Sequence, residues 1–206
     1  MNTRVRSLLS IAAVTCAIFI KIFPFSGQLI GVALVLLLTQ LQSPGEIRLW
    51  FRRTRISGLL FGGLICALLM VGIDYLVLHF PGLPTVDFSR FHILHNDSRM
   101  TAVWIAAVWI FIAPSEELIS RAFLIDQWCV VFDGQRWASI AAVVLSSAGF
   151  GLVHFYEGAG GIVSNAGAGL CLGALYVIQK RNLWSNIFAH GLVDTLAMIA
   201  FYLGRL

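Results

Sequence analysis

Charged side chains are scarce in this sequence. Only 12% of its 206 residues are Asp, Glu, Lys or Arg, about half the share of a soluble domain. That excludes an ordinary water-exposed globular surface. Cysteine is also sparse, with Cys16, Cys66, Cys129 and Cys171 scattered and no CxxC spacing. A disulfide framework or a structural zinc knot is thereby excluded, and the four read as small packing residues. The formal charge of +4 does not imply nucleic acid. Its basic residues form short clusters between apolar runs rather than a stripe interleaved with aromatics.

What is abundant is apolar: 59% hydrophobic residues and a mean hydropathy of +0.87. This composition belongs to a polytopic membrane protein, and the length suits one unit over 1–206. Seven apolar stretches run over 7–23, 27–41, 57–80, 101–124, 137–155, 159–179 and 183–203. A helix needs about 20 residues to cross the hydrocarbon core, which the last five provide. The expected fold is therefore an all-α transmembrane helix bundle of about seven spans, with six to eight allowed. The first two stretches flank the turn "KIFPFSG" and suggest a hairpin that crosses only in part. Arg4 and Arg6 before an apolar run resemble a signal peptide, but no clean A-x-A site follows, so a retained helix is preferred.

With the N-terminal side taken as inside, the inside segments hold ten basic residues. They are Arg4 and Arg6, four arginines between 48 and 55, Arg121, Arg136, Lys180 and Arg181. The outside holds four, Lys21, Arg90, Arg99 and Arg205. That bias predicts a cytoplasmic N-terminus, in a bacterial-type inner membrane. The longest polar connection, 81–99, then lies outside. Its His92 and His95 are a weak metal signal, and a solvated loop is the preferred reading. The glycine-rich run 158–176 predicts close helix packing, with room for a substrate strand as the alternative.

Ionisable residues inside spans are costly and point to function. Asp74, five residues from His79, reads as a structural group that caps or pairs within the bundle. "APSEELISR" places Glu116, Glu117 and Arg121 in one apolar stretch after Pro114, where a kink or restart is expected, with Ser115 satisfying a freed backbone group. Adjacent glutamates diverge by about 100° on a helix, so Arg121 can pair with one while the other looks into a cavity. Phe150 and His154 share a face, as do His190 and Asp194. Read as helix-packing residues, each set is unremarked; together they put acids and histidines on three spans. A carboxylate and a histidine can activate water, and donors on a third helix can stabilise an oxyanion. The set fits amide hydrolysis in a membrane. G-x-S-G, G-x-G-D and H-E-x-x-H are all missing, which excludes the serine, aspartyl and zinc motifs of that spacing.

The series "EELISR" (116–121), "FGLVH" (150–154) and "HGLVD" (190–194) resembles the CPBP family, which includes type II CAAX prenyl endopeptidases and bacteriocin-processing or immunity proteins. The likeness covers about residues 100–200, leaving 1–100 as further spans. It implies a glutamate-dependent intramembrane endopeptidase acting on a membrane-associated peptide or protein. Glu116 and His154 would activate water, Glu117 and Arg121 would be the supporting pair, and Phe150 would complete the second motif. His190 and Asp194 would occupy the oxyanion-stabilising positions. Asp194 stands where the prenyl protease pattern has asparagine, and Ala122 where it usually has glycine. No cofactor is implied. Zinc held by a glutamate and two histidines, and a non-catalytic immunity or scaffold protein, remain open alternatives. The implied partners are the substrate and the bilayer, not nucleic acid.

Overall fold

A computed structural model describes residues 2–20, 22 and 25–206. Lys21, Phe23 and Pro24 of the expected "KIFPFSG" turn lie outside the described residues. The chain is 80% helix, with no strand among the described residues. Two antiparallel helices, α1 (Thr3–Ile18) and α2 (Ser26–Gln42), open the fold. A short α3 (Glu46–Trp50) leads into α4 (Ile56–His79). After a 3-10 helix (Ser89–Leu94) comes the long α5 (Ser98–Val131). Then follow α6 (Ala138–Val153), α7 (Gly158–Ile178) and α8 (Trp184–Tyr202).

Among the described residues three helical segments are long and apolar enough to cross a membrane: α4 at mean hydropathy 2.4, α5 at 1.6, and Phe155–Ile178 at 1.6. α2 and α6 are shorter apolar helices. Large apolar side chains such as Phe61, Leu68, Ile110 and Ile178 point outward and are at least 70% exposed. In water that surface would drive aggregation; against lipid it is the favoured one. The chain is an integral membrane protein.

Two expectations about the spans change. α5 does not break at Pro114. Its turns widen to π-helix at Val108–Ile112 and Leu118–Ile125. A wide turn just before the proline gives its ring room where an α-helical carbonyl would clash. Ser115 Oγ donates to Ile112 O at 2.9 Å. The 137–155 stretch yields a 16-residue helix, about 24 Å long, because the chain turns at His154.

The connection after α4 also departs from a solvated loop. Phe88, Phe91 and Leu94 recur every third residue, so a 3-10 helix eclipses them on one face. Leu94 is buried, and Phe91 stacks on Phe201 of α8 with centroids 4.8 Å apart. Asp87 N donates to Glu157 O at 2.8 Å, and Gly160 N donates to Thr85 O at 3.2 Å. The exposed Asp87 carboxyl accepts from Ser89 N, and that bond holds it below the usual carboxylate range. Asp74 and His79 do not pair. Asp74 accepts from Ser164 of α7, and His79 Nδ1 bonds Tyr75 O.

In the glycine-rich run Gly160 approaches Thr85 of the 81–97 connection and Gly161 approaches Glu157, while the later glycines approach other helices. A Cβ at Gly167 would meet Ile73 Cγ2 at 2.7 Å, and one at Gly173 would meet Val143 Cγ1 at 2.7 Å. The bundle is tied at one end by polar contacts. Asp126 accepts from Trp50 Nε1 at 3.1 Å, Tyr176 Oη at 3.2 Å and Arg181 Nε at 2.9 Å. Arg181 also contacts Glu46. Burial pulls the Arg181 pKa down, but the Asp126 contact outweighs it and holds the group above the ordinary arginine value.

Candidate active site

The site grows from α5. Its helical turn puts Arg121 Nε 3.3 Å from Glu117 Oε2, with both side chains buried. That contact is an ion pair rather than a well-aligned hydrogen bond, and the guanidinium instead stacks on the Phe150 ring, 4.2 Å from its centroid. Two buried charges demand such pairing. Glu117 gains two further donors from α8: His190 Nδ1 at 2.9 Å and Asn186 Nδ2 at 3.2 Å. The carboxylate can only accept, so Nδ1 carries the proton.

His190 is the meeting point of the cluster. Its Nε2 lies 3.8 Å from Glu116 Oε2 and 3.5 Å from Asp194 Oδ2. Glu116 points away from the Glu117–Arg121 pair, as residues about 100° apart on a helix must. Its Oε1 accepts from Gln28 Nε2 of α2 at 2.9 Å.

His154 ends α6. Its Nδ1 bonds Phe150 O at 2.8 Å, and a carbonyl only accepts, so Nδ1 is the protonated nitrogen and Nε2 keeps its lone pair. The Phe150 ring sits between the histidines, 4.8 Å from His154 and 6.0 Å edge-on from His190. Glu116, His154, His190 and Asp194 line one cavity of about 820 Å³. Glu116 and His154 share its wall without a hydrogen bond between them. Glu117 and Arg121 lie behind it.

Gln28, Asn186 and Glu157 were not anticipated from sequence. Glu157 is buried, lines the same cavity and accepts from Asn165 Nδ2 at 2.9 Å. An amide in a helix leaves no periodic signature, so only Glu157, three residues after His154, carried a readable signal. Among the described residues no group of three or more His, Cys, Asp or Glu side chains is arranged to hold a metal ion.

A half-buried carboxylate with one oxygen fixed by an amide, a histidine with a free lone pair, and a second histidine anchored by a salt-bridged glutamate can together activate water and receive negative charge. Residues 98–196 match the family described as type II CAAX prenyl endopeptidase Rce1-like. No curated protein and no solved structure matches the chain.

Proposed function

Because residues 98–196 are a domain of the Rce1-like family of type II CAAX prenyl endopeptidases, we propose that this chain hydrolyses a peptide bond of a membrane-associated protein through a water activated by Glu116 and His154. The family supplies protease activity in the coarse sense; the assignment of roles rests on the geometry. Glu116, His154 and His190 converge on one cavity, and that single observation carries the reading.

In this mechanism Gln28 holds Glu116 Oε1, which leaves Oε2 to take a proton from water. His154 Nε2 accepts the other water hydrogen and orients the oxygen lone pair toward the substrate carbonyl. Attack forms the tetrahedral oxyanion. His190, as the imidazolium anchored by Glu117 through Nδ1, donates from Nε2 to that oxyanion. The proton on Glu116 then passes to the leaving nitrogen as the C–N bond breaks. Asp194 acts through His190 rather than on the substrate, because its carboxylate would repel an oxyanion it touched. Donors aimed at developing charge are worth roughly 10²–10³ in rate.

The test uses purified protein in lipid–detergent micelles with two internally quenched reporter peptides, a farnesylated CAAX peptide and an unprenylated apolar segment, and follows whichever the wild type cleaves. Glu116→Gln and His154→Ala are each expected to lower kcat by about 100-fold or more. Cleavage at the wild-type rate by either variant would overturn the mechanism and favour the non-catalytic immunity or scaffold role.

A further inference from the structure

The cavity occupies only one half of the bundle. Among the described residues, none of its lining comes from α4 before Met70, α5 beyond Ser120, α6 before Phe150, α7 beyond Ala168 or α8 before His190. The rest comes from the α1–α2 turn, the 81–97 connection and the chain around His154, with Leu206. All of these sit at the same end. The opposite end, where α3 and the turns 131–137 and 179–183 meet, is held shut. Buried Trp50 and Tyr176 close on Asp126 there. Leu183 N donates to Trp50 O at 2.9 Å, and Asn182 Nδ2 donates to Arg52 O at 2.7 Å.

Basic residues divide by end. Arg4, which contacts Asp133, lies at the closed end with Arg6, the four arginines from 48 to 55, Arg136, Lys180 and Arg181, nine in all. Arg121 drops from the expected inside count because it is buried in the site. The cavity end carries Arg90, Arg99 and Arg205, three among the described residues. Lysine and arginine flanking spans are retained on the cytoplasmic side. The closed end is therefore the cytoplasmic one.

We infer that the site opens away from the cytoplasm, so that its substrates are peptide segments on the extracytoplasmic side of the membrane rather than cytoplasmic prenylated C-termini. The inference rests on the protease reading for its substrate, but its sidedness rests on the cavity and the charges alone. The lining agrees with it chemically. Its outer wall is aromatic and aliphatic, from Phe88 and Phe91 to Met198 and Phe201, which suits the apolar flank of a peptide leaving the bilayer. Arg90, over the Tyr156 ring at 4.5 Å, is the one Arg or Lys among the described lining residues.

Two measurements on the full-length protein in cells test this. Single cysteines replace His92 in the connection, Ala197 in the cavity and Gln135 at the closed end, with the wild type as background. A membrane-impermeant maleimide is applied to intact cells. His92→Cys and Ala197→Cys are expected to label at least fivefold over background, and Gln135→Cys only after the cells are opened. Labelling of Gln135→Cys in intact cells, with protection of the other two, overturns the sidedness. New N-termini are then compared between wild type and Glu116→Gln. Termini lost in the variant are expected in extracytoplasmic segments, and their appearance in cytoplasmic tails overturns the substrate class. If no terminus depends on Glu116, the protease reading fails while the labelling still decides which way the cavity opens.

Discussion

Gln28 and Asp194 are the two side chains whose roles are set most narrowly by their neighbours. Gln28 comes from outside the family-like segment, yet its amide donates to Glu116; the ionisable groups around that carboxylate include His190, Asp194, Glu117, Arg121 and Tyr156. Gln28→Met keeps the side-chain length and removes the donor. It is expected to lower kcat about tenfold with KM and melting temperature unchanged, the scale of one hydrogen bond to a charged group. Steady-state kinetics on the reporter peptide that the wild type cleaves would show wild-type kcat if Gln28 only packs. At Asp194, asparagine would still accept from His190 and would add a donor for the oxyanion. Asp194→Asn is expected to match or exceed the wild-type kcat, whereas Asp194→Ala loses about tenfold; equal damage in both would refute the orienting role. The two glutamates, the arginine and both histidines were legible because ionisable groups stand out in apolar runs. Gln28 and Asn186 were not, because an amide is unremarkable in composition and its partner lies on a distant helix.

The meeting of Glu116 with His154 is a matter of element length. From the apolar stretches alone, Glu116 belonged near one membrane face and His154 near the other. The difference disappears because α5 runs on to Val131, which leaves Glu116 in mid-helix, while α6 stops at 16 residues and delivers His154 short of the far surface. Hydropathy could not show this, since Asp126 and Gln127 interrupt the apolar run just past 124 and the π-turns around Pro114 have no sequence mark beyond the proline itself. The approach of α2 to the site is equally dependent on close packing. A Cβ on Gly27 would lie 2.2 Å from Ile18 O, a backbone atom that cannot swing aside. Gly27→Ala is therefore expected to lower both melting temperature and kcat, because forcing the hairpin apart moves Gln28 with it. Gly58 in α4 has nothing within 4 Å of a built Cβ. Gly58→Ala should raise stability by about 0.5–1 kcal/mol with kcat unchanged. Thermal unfolding in detergent alongside peptide cleavage separates the two; a stable, fully active Gly27→Ala would show that the hairpin does not position the site.

Over the whole molecule the two ends are built from different interactions. The closed end is locked by directional polar contacts converging on Asp126, which draw together α3, α5, α7 and the turn before α8. The cavity end is joined by ring contacts such as Phe91 on Phe201 and by a few backbone hydrogen bonds to the 81–97 connection. A membrane bundle gains little from the hydrophobic effect between helices, so specific contacts decide where it is rigid. This division suits a site that admits a ligand at one end while the locked end keeps the helices that carry its polar groups in register. Removing the lock separates the two demands. Arg181 is 42% exposed as a side chain, so solvent screening discounts its pairing, and Arg181→Met is expected to cost about 1–2 kcal/mol of stability rather than the larger loss of a fully buried pair. Because the Asp126 cluster contributes nothing to the cavity lining, KM for the cleaved reporter peptide should stay within about twofold, well under the ~1.4 kcal/mol that a tenfold change represents. A lower unfolding temperature with unchanged KM would place rigidity and substrate entry at opposite ends. A large rise in KM would mean instead that the closed end controls access, and the bundle would have to move as one body during turnover.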